Sequence, residues 1–283
     1  MRNASAVWAC IRYDLRKLLG SQRFYLAVLL VLFVIRDYLL PCKEWFVALS
    51  CNITPWIFPH VTDDLFIQMT IMCGLIFVLN DAPFLDDMQL FIIVRSGRGT
   101  WCLGQLLYIL LGSLLYVLCI AAGCAALMLP HLEWSLSWGR VIATLATGQV
   151  ALPTYFEFSR NIYKAFSPLT AMGMSTLYCW LGCCCLGMLI FFVNLSGTRV
   201  WGSVAAGALV LQDLFSMMLL PEGAEYFSVV SLTRFSVFAF KQPYAQIGGM
   251  HYALSVLTAF VLLFALLSLW RTRKMSVSTS PAI

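Results

Sequence analysis

The chain has 283 residues, 61% of them hydrophobic and only 11% charged, with a formal net charge of +5 and a mean hydropathy of +0.86. A soluble domain carries about 25% charged residues, so the deficit excludes a water-soluble globule and describes a polytopic all-α membrane protein. The small positive balance sits at the ends of apolar runs, which reads as orientation in a membrane and excludes nucleic acid as a partner.

The first predicted element is an amphipathic helix over residues 4–20. Val7, Ile11, Leu15 and Leu18 share a face that Arg12, Arg16 and Lys17 avoid, the pattern of a helix lying on the inner leaflet against membrane lipids. A basic flank that merely orients the first span carries the same charges. The basic region is long and no small-residue cleavage pattern follows, so the segment is not expected to be removed as a signal peptide.

Six apolar stretches then follow, at about 24–40, 65–80, 101–129, 171–195, 200–220 and 252–270. Arg36 and Asp37 interrupt the first, near its end, where Arg36 reaches the headgroups. Val141 to Leu152 is too short to cross and is read as a helix at the outer surface. Six crossings place both termini and the second and fourth connections on one side. That side holds Arg2, Arg12, Arg16, Lys17, Arg23, Arg95, Arg98, Arg199, Arg271, Arg273 and Lys274, so both termini are expected in the cytoplasm. The whole of 1–283 is one transmembrane domain in the plasma membrane.

Catalytic chemistry is sparse. There is no HExxH, GxSxG or GxxxxGK[ST] string, and His60, His131 and His251 all fall near outer span ends. No cofactor or metal site is therefore expected in this chain, and any ATP chemistry must come from a partner. Most of the eleven cysteines fall in spans, where a thiol acts as a small apolar residue. Cys42 and Cys51 are placed in the first outer loop, either bonded to each other or free. Gly202 with Ala206, and Ser203 with Gly207, are spaced four apart for close helix packing. Asp213 in the same span, next to Gln212, is either part of a polar pathway or a hydrogen-bond partner between helices.

The connection after the second span runs acid first and base last. Pro83 precedes a short helix with Asp86 and Asp87 in its first turn, Arg95 in its last turn and Gly97 as its stop. A compact charged helix is thus presented to the cytoplasm.

The string NDAPFLDDMQLFIIVRSGRGTWCLGQ, the segment FSPLTAMGMSTLYCWLGCCCLGMLIFFVNL and the N-terminal amphipathic helix together resemble the permease subunits of type-2 ATP-binding-cassette exporters, the small bacterial permeases in particular. The resemblance implies that Asp86 to Arg98 form a coupling helix, with Asp86, Asp87, Arg95 and Arg98 facing a separate ATPase subunit that binds ATP and Mg. It implies a second permease subunit, identical or homologous, and two short re-entrant helices within Pro221 to His251, a stretch interrupted by Glu222, Gly223 and Pro243. The charge-interrupted first span and the long outer stretch from Pro130 to Thr170 depart from that pattern. A membrane-embedded enzyme or an immunity-type membrane protein without an ATPase partner is the alternative. A secondary transporter would need inverted repeats, and no such halves are evident.

Overall fold

The computed structural model describes residues 2–80, 82–83, 87–150, 156–196, 199–219, 228–240 and 249–274. Every regular element among them is a helix, apart from a single parallel bridge between Ile53 and Leu132. The first half holds α1 (Arg2–Leu19), α2 (Gln22–Ala48), the short α3 (Phe58–Val61), α4 (Leu65–Leu79), α5 (Asp87–Ser96) and α6 (Arg98–Ala126). The second holds α7 (Gly139–Ala146), α8 (Arg160–Ala165), α9 (Pro168–Ser196), α10 (Arg199–Leu219), the paired short helices α11 (Val229–Thr233) and α12 (Phe235–Phe240), and α13 (Gly249–Lys274).

Four of these, α2, α6, α9 and α13, are long and apolar enough to cross a membrane, as fits a membrane-embedded protein. One of the expected spans is short for a crossing. Asp64 caps α4 through its side chain and leaves 15 residues, about 22 Å of helix at 1.5 Å per residue against a hydrocarbon core of roughly 30 Å. α10 runs for 21 residues from Arg199 to Leu219, about 32 Å of helix and close to the expected 200–220. The first span, by contrast, is longer than expected. Neither the Arg36–Asp37 pair nor Pro41 ends α2, which continues to Ala48 and takes Cys42 into the helix rather than the loop.

α9 is the centre of the bundle. It runs parallel to α13 in a constant register of seven residues: the Tyr178 hydroxyl donates to the Met250 carbonyl at 2.7 Å, the Cys185 thiol to the Leu257 carbonyl at 3.3 Å, and Phe192 meets Phe264 with ring centroids 6.1 Å apart. A seven-residue repeat keeps one seam of each helix facing the other. At its middle residue, Gly182, a methyl group would lie on the Thr233 side chain and 2.8 Å from Met72 Cε. The short pair α11–α12 therefore reaches the midpoint of α9, and only a hydrogen side chain leaves it room.

α1 is helical and its apolar face is turned inward, but that face meets protein. Cys10 packs on Gly104 and Leu18 on Gly112, so α1 runs parallel to the first half of α6. Asp14, absent from the sequence reading, is buried in that seam and accepts a 2.7 Å hydrogen bond from Gln105 Nε2. Phe24 meets Tyr116 and Lys43 Nζ donates to the carbonyls of Leu127 and Leu129, so α2 continues beside the second half of the same helix. Trp8, Arg12, Arg16 and Lys17 remain on the exposed face of α1.

Candidate functional site

At the end of the bundle opposite α5, a cavity of about 760 Å³ opens between the start of α4, α7 and the segment leading into α8. Its size falls in the range of small-molecule sites. Its walls carry three acids, Asp63, Asp64 and Glu157, and two guanidinium groups, Arg160 and Arg234. Phe66, Phe156 and Phe158 supply an apolar side.

Local folding places each of these groups. Asp64 Oδ1 accepts from Ile67 N at 3.0 Å, the hydrogen bond that starts α4 and satisfies one of its orphan amides. Asp63 precedes it, and its carboxylate accepts from the Ser236 hydroxyl on α12. Arg234 is the one residue between α11 and α12. Its Nε donates to the Asp63 carbonyl at 2.6 Å, and its two terminal nitrogens have no hydrogen-bond acceptor among the described residues. Burial pushes the Asp63 carboxyl above the usual carboxylate range, against the Ser236 and Ser159 hydroxyls and the Arg234 charge, which favour the ionised form.

Below the cavity lies a buried polar cluster that holds the short pair in place. One turn into α4, Gln68 Nε2 donates to the Thr233 hydroxyl at 2.8 Å, and that hydroxyl donates to the Val230 carbonyl at 2.7 Å. The Ser231 hydroxyl donates to Asp213 Oδ1 at 2.7 Å. Asp213 is 1% exposed, so the carboxylate singled out from the sequence sits in a polar helix interface and away from lipid. Irregular backbone within an apolar bundle needs partners of this kind, because no water is at hand to satisfy it. Gln212, a residue earlier on the helix, is only half-buried and belongs to a different environment.

The four small residues of α10 divide. Gly202 packs against α9, where a methyl group would lie 2.7 Å from the Ile190 carbonyl; Ala206 is buried; the Ser203 hydroxyl bonds the Asn80 side chain; Gly207 faces open space. The organiser of this contact is Asn194 of α9, which the sequence reading passed over. Its Nδ2 donates to the Ala82 carbonyl at 2.6 Å and to the Asn80 carbonyl at 3.3 Å, while its Oδ1 accepts from Gly202 N at 2.9 Å. An Asn within a 29-residue helix of apolar character was the available signal.

Cys42 and Cys51 are both free thiols; Cys42 is buried in α2 and lines the cavity. His60 is not interfacial. It is fully buried behind the cavity wall, with ring centroids 5.1 Å from both Trp138 and Phe158, and neither of its nitrogens has a hydrogen-bond partner among the described residues. Burial pushes its pKa down to about 3, so the ring is neutral at ordinary pH. The stretch read as an outer surface helix is helical from Gly139 to Ala146, and it buries Val141, Ile142 and Leu145 against the protein. No three His, Cys, Asp or Glu side chains converge as metal ligands among the described residues.

At the other end of the bundle, α5 begins at Asp87 and ends at Gly97, whose φ of +86° stops the helix as expected. Arg95 and Arg98 are exposed; Asp86 lies outside the described residues, as do residues 220–227 and 241–248 of the stretch expected to hold the re-entrant pair. On the same helix as Arg95, Phe91 is 71% exposed and Val94 81% exposed. These two apolar residues were not singled out from the sequence, although their spacing of three places them on one face with Arg95, while Arg98 opens α6 beyond Gly97. Neither the models of known protein families nor the curated proteins give a match to this chain.

Proposed function

We propose that the chain is the permease subunit of an ATP-binding-cassette exporter, crossing the plasma membrane six times with both ends in the cytoplasm. The observation that carries this reading is the surface of α5. A ten-residue helix between two apolar helices turns Phe91 and Val94 outward on the side of Arg95, with the exposed Arg98 following just past Gly97, where a purely structural connection would bury its apolar residues. A mixed apolar and basic face of this size suits docking on a protein partner, here an ATPase subunit that binds ATP and Mg. α4 and α10 complete the six crossings, the short length of α4 met by local thinning of the bilayer or by a flanking polar residue at each end. In this reading the paired helices α11 and α12, resting on the middle of α9, take the part of the re-entrant pair that the resemblance implies. A second permease subunit, identical or homologous, completes the pathway.

The test is association. An affinity-tagged chain, purified from its native membrane in mild detergent, should bring down an ATPase subunit in stoichiometric amount. Phe91→Ser together with Val94→Ser should abolish that association while leaving yield and thermal midpoint unchanged. Recovery of the chain with no ATPase, from parent and variant alike, refutes the reading.

A further inference from the structure

The cavity beside α4 carries a charge pattern that the ATPase reading does not use. It lies at the opposite end of the bundle from α5, and its ligand chemistry is independent of whether an ATPase binds.

Arg234 is the informative group. Its Nε is committed to the Asp63 backbone carbonyl, which fixes the plane of the guanidinium and leaves both terminal nitrogens as a fork with no protein acceptor among the described residues. A half-buried guanidinium in that state is made for an anion with two oxygens, a phosphate or a carboxylate. None of the cavity's carboxylates hydrogen-bonds that fork among the described residues, although the Asp63 charge is near enough to interact with Arg234. Asp64 is spent on capping α4, and the Asp63 carboxylate is bonded to Ser236. Glu157 is the free carboxylate at the rim: it is exposed and has no polar partner among the described residues.

Three acids against two guanidinium groups argue against a purely anionic ligand, because such a ligand would meet a wall of net negative charge. A purely cationic ligand leaves the Arg234 fork unmatched. A head carrying both signs satisfies both. The cavity is also walled by Phe156 and Phe158, and by Phe66, which is 56% exposed on the flank of α4. We infer that this cavity binds a zwitterionic amphiphile, its phosphate or carboxylate on Arg234, its ammonium towards Glu157 and its apolar part along the phenylalanines.

Photo-crosslinking tests this directly. The full chain is reconstituted in nanodiscs of phosphatidylglycerol and treated with an alkyl phosphocholine bearing a diazirine on its chain. Crosslinks read by mass spectrometry should concentrate on peptides containing Phe66, Phe156 and Phe158. Dodecylphosphocholine should compete at least about tenfold better than dodecyl phosphate or dodecyltrimethylammonium. Nanodiscs containing phosphatidylethanolamine should suppress the label if the ligand comes from the bilayer, and leave it unchanged if the ligand comes from water; either result keeps the zwitterion assignment. Arg234→Gln should reduce the site-specific label at least about tenfold. Arg234→Lys, which keeps the charge and loses the fork, should give an intermediate value and serves as the folded control, with Arg36→Gln on α2 giving no change. Label spread evenly over the lipid-facing sides of α2 and α13, equal labelling in Arg234→Gln, or equal competition by the three head groups overturns the assignment.

Discussion

α9 and α13 run side by side in one register, yet the most apolar stretch of α9 is 72% buried and that of α13 only 17%. Hydropathy ranks them in the reverse order, with α13 the more apolar. The reason is that lipid and a protein interior are both apolar solvents, so transfer free energy alone does not say which one a side chain faces. Size does. α9 carries Gly182, Gly187 and the buried Cys179, Cys183, Cys184 and Cys185, which admit neighbours from every side, while α13 turns Leu262, Leu263 and Leu266 outward.

The strongest way to break this comparison is to give α9 bulk. Gly182→Ala should cost about 1–3 kcal/mol by overpacking against Thr233 and Met72, seen as a lowered thermal midpoint in maltoside micelles. A parent-like midpoint would mean that the short pair does not rest on α9. Next in size, Asp213→Leu should cost roughly 1–3 kcal/mol because it leaves the buried Ser231 hydroxyl without its acceptor, whereas Asp213→Asn keeps an acceptor and should be much milder. Equal behaviour of the two variants would remove the hydrogen bond from the account.

His60 sharpens the comparison from outside the spans. Its folded pKa of about 3 lies below the ordinary 6.5, so the folded state holds fewer protons than the unfolded one throughout that window. Stability contributed by the neutral ring is complete above pH 6.5 and declines as the pH falls towards 3, by about 1.4 kcal/mol per pH unit. His60→Leu should change the midpoint little at about pH 7.5 and make it far less sensitive between about pH 6.5 and 4.5. Asp63 has the opposite sign: its raised carboxyl pKa favours the folded state at low pH, and that contribution disappears as the pH rises through the shifted value. Asp63→Asn should flatten this opposite slope without loss of stability at about pH 7.5. Smallest of all, Leu266→Ala on the lipid face of α13 should stay within about 0.5 kcal/mol of the parent, in contrast to the smaller change of volume in Gly182→Ala.

The helical class, an amphipathic first helix and a helix that stops at Gly97 were legible in the sequence, because each rests on local periodicity or capping chemistry. The sequence reading misjudged what is decided by neighbours. Arg36, Asp37 and Pro41 look like an end, but α2 continues because its far side packs along α4 and α6. The amphipathic face of α1 is the same whether it meets lipid or α6, and only the contacts of Cys10, Asp14 and Leu18 distinguish the two. The cavity was invisible for a related reason: its charged residues lie at positions 63–64, 157–160 and 234, far apart in the chain and unremarkable in any one window. Asn194 and Gln68 were legible in principle as amides inside apolar runs, but nothing local says which carbonyl or hydroxyl they meet.

The join between α5 and α6 is a single residue. Gly97 closes one helix with its amide, bonded to the Ile93 carbonyl at 3.0 Å, and opens the next with its carbonyl, which accepts from Trp101 N at 3.1 Å. No slack residue separates the two, so they form a bent lever with Gly97 as its elbow. A displacement applied to α5 is taken up by rotation at that elbow or carried as tilt into α6. Because α1 is clasped along the near half of α6 and only Gly20 and Ser21 separate it from α2, the tilt cannot stay in one helix. Tilt of α6 also reaches α9, because Trp180 Nε1 donates to the Leu110 carbonyl at 2.9 Å and Gly187 packs against Ile109.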